Sequence, residues 1–374
     1  MKKFPAILLA ILLLNSFVPL DAAQKNAAPK VSYEKGIVVT VDRSEGDAYS
    51  QKIRFEVLTG KFRGKIAAVV HMPSGMAGSI MKLEPGNRVI VYVEENPSKA
   101  ESPDGRPIFQ IADYQRDMPM LWLAVLFAVL IGLIGGMKGI KSIIGLLATG
   151  LLIFLVQVPL TLRGWNPILL ACVISGIVSL FVFRIVGGRN KKSLSGALGT
   201  IFGVTAAGLI AWYAGSFMNL SGMSSEESKM LMFSVKNSID YRGILFSGII
   251  IGALGAVMDV GMSIASAIEE VRKARPDSTF GQLFMSGMNV GRDVMGTMSN
   301  TLILAYVGSS LPLILLFIAA DMPVTKIMNM EMIAEEVLRA LSGSIGLILC
   351  IPITALITAS LFTGGPESIK NIDK

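Results

Sequence analysis

From Met118 onward the chain is a succession of apolar stretches, each close to the about 20 residues that a helix needs to cross a bilayer. Seven are separable: residues 119–137, 142–162, 167–187, 194–217, 243–267, 293–318 and 340–362. In hydrocarbon every backbone N–H and C=O must be paired within the segment, so stretches of this length fold as α-helices. Across all 374 residues the mean hydropathy is +0.61 and only 16% of residues are charged, which excludes an ordinary soluble globule. The expected fold is an α-helical polytopic membrane protein of about seven spans.

The first part of the chain differs. Residues 1–23 read as an export signal, Lys2 and Lys3 followed by AILLAILLLNSFVPL. It is either a cleaved peptide or a retained anchor, because cleavage is open after Ala22 or after Ala23 but Asp21 spoils a clean A-x-A pattern. Residues 24–117 then alternate like strands: in QKIRFEVL, Ile53, Phe55 and Val57 face one way and Lys52, Arg54 and Glu56 the other. About five such runs between turn signals suggest a small all-β, OB-like closed barrel. No surface of interleaved basic and aromatic residues stands out, so no nucleic acid is expected as a partner.

Loop charges orient the spans. Lys138, Lys141, Arg184, Arg189, Lys191, Lys192, Arg272, Lys273, Arg275 and Arg292 fall on one side, with Lys370 and Lys374. The other side holds the poorer set Arg163, Lys229, Lys236, Arg242, Lys326 and Arg339. The richer side is cytoplasmic by the positive-inside rule. Residues 24–117 are then extracytoplasmic and the C-terminus is on the cytoplasmic side of the cell membrane. The formal net charge of +7 is absorbed by this topology rather than by an acidic partner. Three short amphipathic stretches, SSEESKMLMFSV, STFGQLFMSGM and EMIAEEVLRAL, are expected to lie along the membrane surface.

One helix stands apart chemically. Gly248, Gly252, Gly255, Asp259, Ser263, Ser266 and Glu270 recur at steps of three and four, which sets them on one face. Small residues let a second helix approach closely, and a carboxylate there costs about 2.5–3.5 kcal/mol at mid-membrane on insertion scales. Asp259 is therefore the leading candidate for an ion-coupling group, against a structural role in bonding across helices. In the next span, Asp293, Thr297 and Asn300 share a face, and Arg292 at its start is placed to pair with Asp259, Glu270 or Asp293. Two more small-residue seams, Gly196, Gly199 and Gly203, and Gly132, Gly135, Gly136 and Gly139, are read as packing.

Enzymatic signatures are missing. HExxH, GxSxG, CxxC and a Walker lysine loop do not occur. Gly291-Arg292-Asp293 departs from the GxGD pattern of intramembrane aspartyl proteases. His71 is the one histidine and lies outside the apolar part, while Cys172 and Cys350 are isolated in apolar runs. Neither a metal site nor a cofactor is expected.

IADYQRDMPMLWLAVLFAVLIGLIGGMKGIKSIIGLL, GALGAVMDVGMSIASAIEEV and GMNVGRDVMGTMSNTLILAYVGSSLPLILLF resemble, in order, the signatures of YibE/F family membrane proteins. The resemblance implies a polytopic bacterial membrane protein with an extracytoplasmic N-terminal domain, and no activity. A weaker similarity, a buried Asp in one span followed by a Thr- and Asn-rich span, links the chain to SecD/SecF and RND-type proton-driven exporters. Two function classes follow. One is an ion- or proton-coupled export component using Asp259, with Ser263, Thr297 and Asn300 as hydrogen-bonding neighbours and Arg292 or Asp293 as charge partner. The other is a non-transporting assembly protein whose glycine seams bind a membrane partner or a second copy.

Overall fold

The computed structural model describes residues 31–43, 51–71, 81–95, 97, 106–235 and 239–363. The expected leader, residues 1–23, lies outside them. The chain divides into two compact units, with the boundary between Leu130 and Ile131.

The N-terminal unit is one antiparallel sheet of β1 (Val31–Arg43), β2 (Gln51–Val57), β3 (Ile66–His71), β4 (Arg88–Glu94) and β5 (Ile108–Tyr114), in the order β3-β2-β1-β4-β5. β1 is long enough to serve two partners: Gly36–Arg43 pair with β2 and Val31–Ile37 pair with β4. A register shift between Val38 and Thr40 bends it. Gly36 sits where both pairings meet, and a Cβ there would stand 2.8 Å from Val91 Cγ2 and 3.1 Å from the Glu56 carbonyl. The alternation read from sequence is the one that builds the core. Ile53, Phe55 and Val57 have 0% exposure and pack with Val38, Val89, Val91 and Val93. β3 and β5 approach one another without sharing ladder hydrogen bonds. The sheet is thus a half-barrel with two edges, rather than the closed barrel expected from the strand count.

From Asp117 onward the described chain is helical, and its first helix carries it across the boundary between the two units. α1 (Asp117–Leu152) runs on through a π-turn (Ile153–Gln157) and a short helix (Val158–Leu162), 46 residues in all. Straight, that would be about 69 Å, more than twice a hydrocarbon core. Gly136 breaks it, at φ 51 and ψ −136, in the left-handed region that glycine enters at no steric cost. The turn is sharp: a Cβ on Gly139 would stand 2.1 Å from the Ile131 carbonyl, whereas residues eight apart in one helix are separated by about 12 Å. Gly132 and Gly135 have nothing within 4 Å. The packing role expected of this glycine group is therefore replaced, at Gly136, by a break.

The remaining helices are α2 (Pro167–Val186), α3 (Lys191–Phe217), α4 (Glu226–Ser234), α5 (Tyr241–Ala274), α6 (Phe280–Ser309), α7 (Leu311–Ala319) and α8 (Glu331–Thr363), with one short helical turn at Val324–Met328 between the last two. Among the described residues, five helices are long and apolar enough to cross a membrane: the 117–162 element, α2, α3, α5 and α8. α6 and α7 together make a sixth, bent by 54° at Ser310, where Pro312 in the first turn of α7 has no N–H to continue the ladder.

Two of the three expected surface stretches are instead the opening turns of long helices. STFGQLFMSGM opens α6, which starts at Phe280 because Thr279 and Gln282 form a capping box. EMIAEEVLRAL opens α8. SSEESKMLMFSV contains a separate helix, α4, capped by the Ser225 side chain.

α3, α5 and α8 pack on one another, flanked by α2 and α6. The α3 glycines allow this. A Cβ on Gly196 would strike the Phe183 ring at 2.3 Å, one on Gly199 would strike Thr354 Oγ1 at 1.9 Å, and one on Gly203 would lie 2.9 Å from the Gly346 carbonyl. The contact is reciprocal, since a Cβ on Gly346 would lie 2.6 Å from the Gly203 carbonyl. Bare backbone against bare backbone is the close approach that small residues permit in membranes. Val204, Ala207, Val257, Leu347 and Cys350 fill the layers around it.

Candidate functional site

α5 is 34 residues long. At 1.5 Å per residue, Asp259 lies about 27 Å from its first residue and about 22 Å from its last. The opposite face of α5 is fully buried through Ala253, Val257, Val260, Ile264 and Ile268. That burial fixes the rotation of the helix and turns Gly248, Gly252, Gly255, Asp259 and Ser263 outward, where all five are exposed. Ser266 is half-buried and Glu270 is exposed.

Among the described residues, no helix fills the expected glycine seam at Gly248 or Gly255. Gly248 and Gly255 have nothing within 4 Å of a would-be Cβ, and Gly252 meets the Tyr306 hydroxyl at 2.9 Å. The spacing of small residues encodes the ability to accept a close neighbour without specifying which neighbour. Among the described residues, Asp259 makes no hydrogen bond or ion pair.

α5 and α6 are antiparallel neighbours. Near one end Gly287 abuts Ile268, and near the other Tyr306 abuts Gly252. Interpolation between these two contacts sets Asp259 level with the turn carrying Thr297 and Asn300, and Ser263 level with Arg292 and Asp293. Arg292, Asp293, Thr297 and Asn300 are all exposed. The two polar stripes are thus both exposed and at matched depth along their helices, and none of the expected cross-pairs forms among the described residues.

The local partners are as follows. Arg292 Nη1 donates to Asn289 Oδ1 at 3.2 Å instead of reaching Asp259, Glu270 or Asp293. The hydroxyls of Thr297 and Thr301 donate back to the carbonyls of Val294 and Thr297 at 3.0 and 2.9 Å. Glu270 accepts from Lys273 at 3.0 Å. Glu269 pairs with Lys192 of α3 at 2.6 Å, with both side chains mostly buried, so it ties α5 to α3 rather than facing water.

A second polar cluster sits at the end of α5 where Gly248 lies. Gly248, Ser224, Glu335, Glu336 and Arg339 line a cleft of about 470 Å³. The Glu335 carboxylate is 7% exposed as a residue and accepts from the Ser224 hydroxyl at 2.6 Å through one oxygen. Arg339 donates to Glu336. In the sequence, Glu335, Glu336 and Arg339 fall in EMIAEEVLRAL, a stretch expected to lie along the membrane surface. The available signal was Glu331, Glu335 and Arg339 at steps of four on a helix that runs straight into an apolar span. No group of three or more His, Cys, Asp or Glu among the described residues could hold a metal ion.

Five helices long and apolar enough to cross a membrane, with a sixth as a bent pair, fit a multi-pass membrane protein. The model of the YibE/F-like protein family matches residues 123–364, nearly two thirds of the chain, and the chain belongs to that family. No curated protein and no solved structure matches it.

Proposed function

We propose that this YibE/F protein is an ion- or proton-coupled export or translocation component of the bacterial cell membrane, with Asp259 as its coupling carboxylate. The observation that carries the reading is an Asp259 halfway along a membrane-length helix, without a polar partner among the described residues and exposed with Gly255 and Ser263 on a face that no other described helix covers there. A carboxylate facing lipid costs about 2.5–3.5 kcal/mol, so this face meets water or another chain. Ser263, Thr297 and Asn300 at matched depth supply hydroxyl and amide groups for a hydrated track, and Arg292 and Asp293 supply charge at its inner mouth. Reading the 117–162 element as two spans broken at Gly136, and α6 with α7 as one, gives seven crossings. The positive-inside rule then sets the half-barrel outside the cytoplasm and the C-terminus within it.

A scaffold that binds a partner helix is the second reading. It is favoured by the empty space at Gly248 and Gly255, which would seat another backbone at close range. The two readings part at Asp259→Asn in proteoliposomes under an imposed pH gradient. Coupling predicts a proton flux in the wild-type protein that the variant loses while still folding. Equal flux in both, or none in either with a partner crosslinked at Gly255→Cys, favours the scaffold.

A further inference from the structure

The cleft beside Gly248 is built from four parts of the helical unit: the stretch around Ser224 and Ser228, α5, the α6–α7 break, and the start of α8. Its apolar wall comprises Ile244, Leu245, Leu313 and Met332. Its polar wall has an uneven set of needs. Glu335 Oε2 is satisfied by Ser224, but Glu335 Oε1 is buried without a partner. Glu336 Oε1 is held by Arg339, but Glu336 Oε2 is likewise buried without a partner. Glu331 is also close enough to act electrostatically on Glu335, and its carboxylate accepts from the backbone N–H groups of Ser221 and Gly222. Two carboxylates thus share the cleft with one guanidinium while Glu331 is held beside it by backbone, and the unmet atoms of the lining are carboxylate acceptors.

A buried acceptor left unpaired is costly, and a buried carboxylate more so. An anion would worsen the balance and a neutral apolar molecule would leave it unmet. A divalent metal is a poor match, since no three-acid cage is present among the described residues. What fits is a positively charged N–H donor on a small apolar body. We propose that this cleft binds an organic ammonium group, its N–H donors on Glu335 Oε1 and Glu336 Oε2 and its carbon chain along Leu245, Leu313 and Met332. The same chemistry is offered by a free alkylamine and by the ethanolamine headgroup of a membrane lipid. The inference is independent of coupling at Asp259, because binding is read without flux.

The test uses the full chain in detergent, titrated calorimetrically with n-butylammonium and, separately, with n-butanol. Saturable binding of butylammonium and none of butanol is expected. Glu335→Gln should weaken butylammonium by about tenfold or more, the loss of one charge-assisted hydrogen bond. Gly248→Leu, which extends a side chain into empty space beside the cleft, should abolish binding without lowering the unfolding midpoint. It decides the matter if Glu335→Gln does not fold.

Native mass spectrometry from nanodiscs of mixed phosphatidylethanolamine and phosphatidylglycerol separates the sources. Phosphatidylethanolamine retained by the wild type and lost in Gly248→Leu identifies the lipid headgroup. Butylammonium binding without such retention identifies a soluble amine. Neither ligand bound, butanol bound as well as the amine, or binding unchanged in both variants would overturn the proposal.

Discussion

The α3–α8 crossing and the open face of α5 carry glycines in similar helical settings, so one substitution separates packing from its absence. Gly203→Ala adds a Cβ at 2.8 Å from Cys350 Cβ, 2.8 Å from Val257 Cγ1 and 2.9 Å from the Gly346 carbonyl. Ordinary carbon contacts begin at about 3.5 Å, so the seam must open by more than half an ångström. One of the three obstacles is backbone, which no rotamer change can move aside. A radial gap of that size forfeits a quarter to a half of each contact along the seam, and overpacking of this kind costs about 1–3 kcal/mol. Gly255→Ala adds the same atom where nothing lies within 4 Å, and should change stability by less than about 0.5 kcal/mol. The assay is unfolding of the purified protein in a rising mole fraction of SDS, followed by circular dichroism. Equal midpoints for the two variants would refute the assignment of Gly203 to a backbone-on-backbone crossing.

Two further outcomes follow from the ion pairs. Lys192→Met leaves the mostly buried Glu269 with Lys273 at 3.8 Å as its remaining cation and should destabilise the protein by about 1–3 kcal/mol. Adding Glu269→Gln should restore part of that loss, because an uncompensated charge is worse than no pair; SDS unfolding of the single and double variants checks it. In the half-barrel, Arg116 donates to Asp113 at 2.6 Å and, with the Tyr114 N–H, holds its carboxyl below the ordinary carboxylate range. Because the folded value is the lower one, this stabilisation is complete above the unfolded value of about 3.9. It is lost as pH falls through the folded value. Limited proteolysis of the full chain should therefore find Asp113→Asn slightly more labile than wild type at neutral pH and indistinguishable from it in strong acid.

Much of this architecture was legible because periodicity and burial obey simple rules. Alternation in QKIRFEVL placed Ile53, Phe55 and Val57 inside, since side chains on a strand alternate by geometry. The Gly196, Gly199 and Gly203 spacing marked a seam that the structure fills with Phe183, Thr354 and Gly346.

What spacing cannot encode is the identity of the neighbour. Gly248 and Gly255 carry the same signature as Gly203 yet face open space. Lys192 reads in the sequence as a loop charge at the cytoplasmic boundary, and its pairing with Glu269 depends on the rotation of two helices. The Glu335 cleft was hidden because EMIAEEVLRAL has the composition of a surface helix. Its burial comes from the α4 region and the α6–α7 break, elements far away in sequence. The start of α6 was missed by thirteen residues because hydropathy falls across Phe280–Arg292, while the capping box that nucleates the helix is local and polar.

The central claim, that the face of α5 bearing Asp259 meets water at membrane depth, is tested most directly by thiol labelling in intact membranes. Cys172 and Cys350 are first replaced by serine, and single cysteines are then introduced as Ser263→Cys on the α5 face and Leu209→Cys on an exposed flank of α3. A water-soluble, membrane-impermeant maleimide should modify Ser263→Cys, slower when Asp259 is also changed to Leu, and should leave Leu209→Cys unmodified. Ser263→Cys as inert as Leu209→Cys would place that face in lipid or beneath a partner and contradict the coupling account.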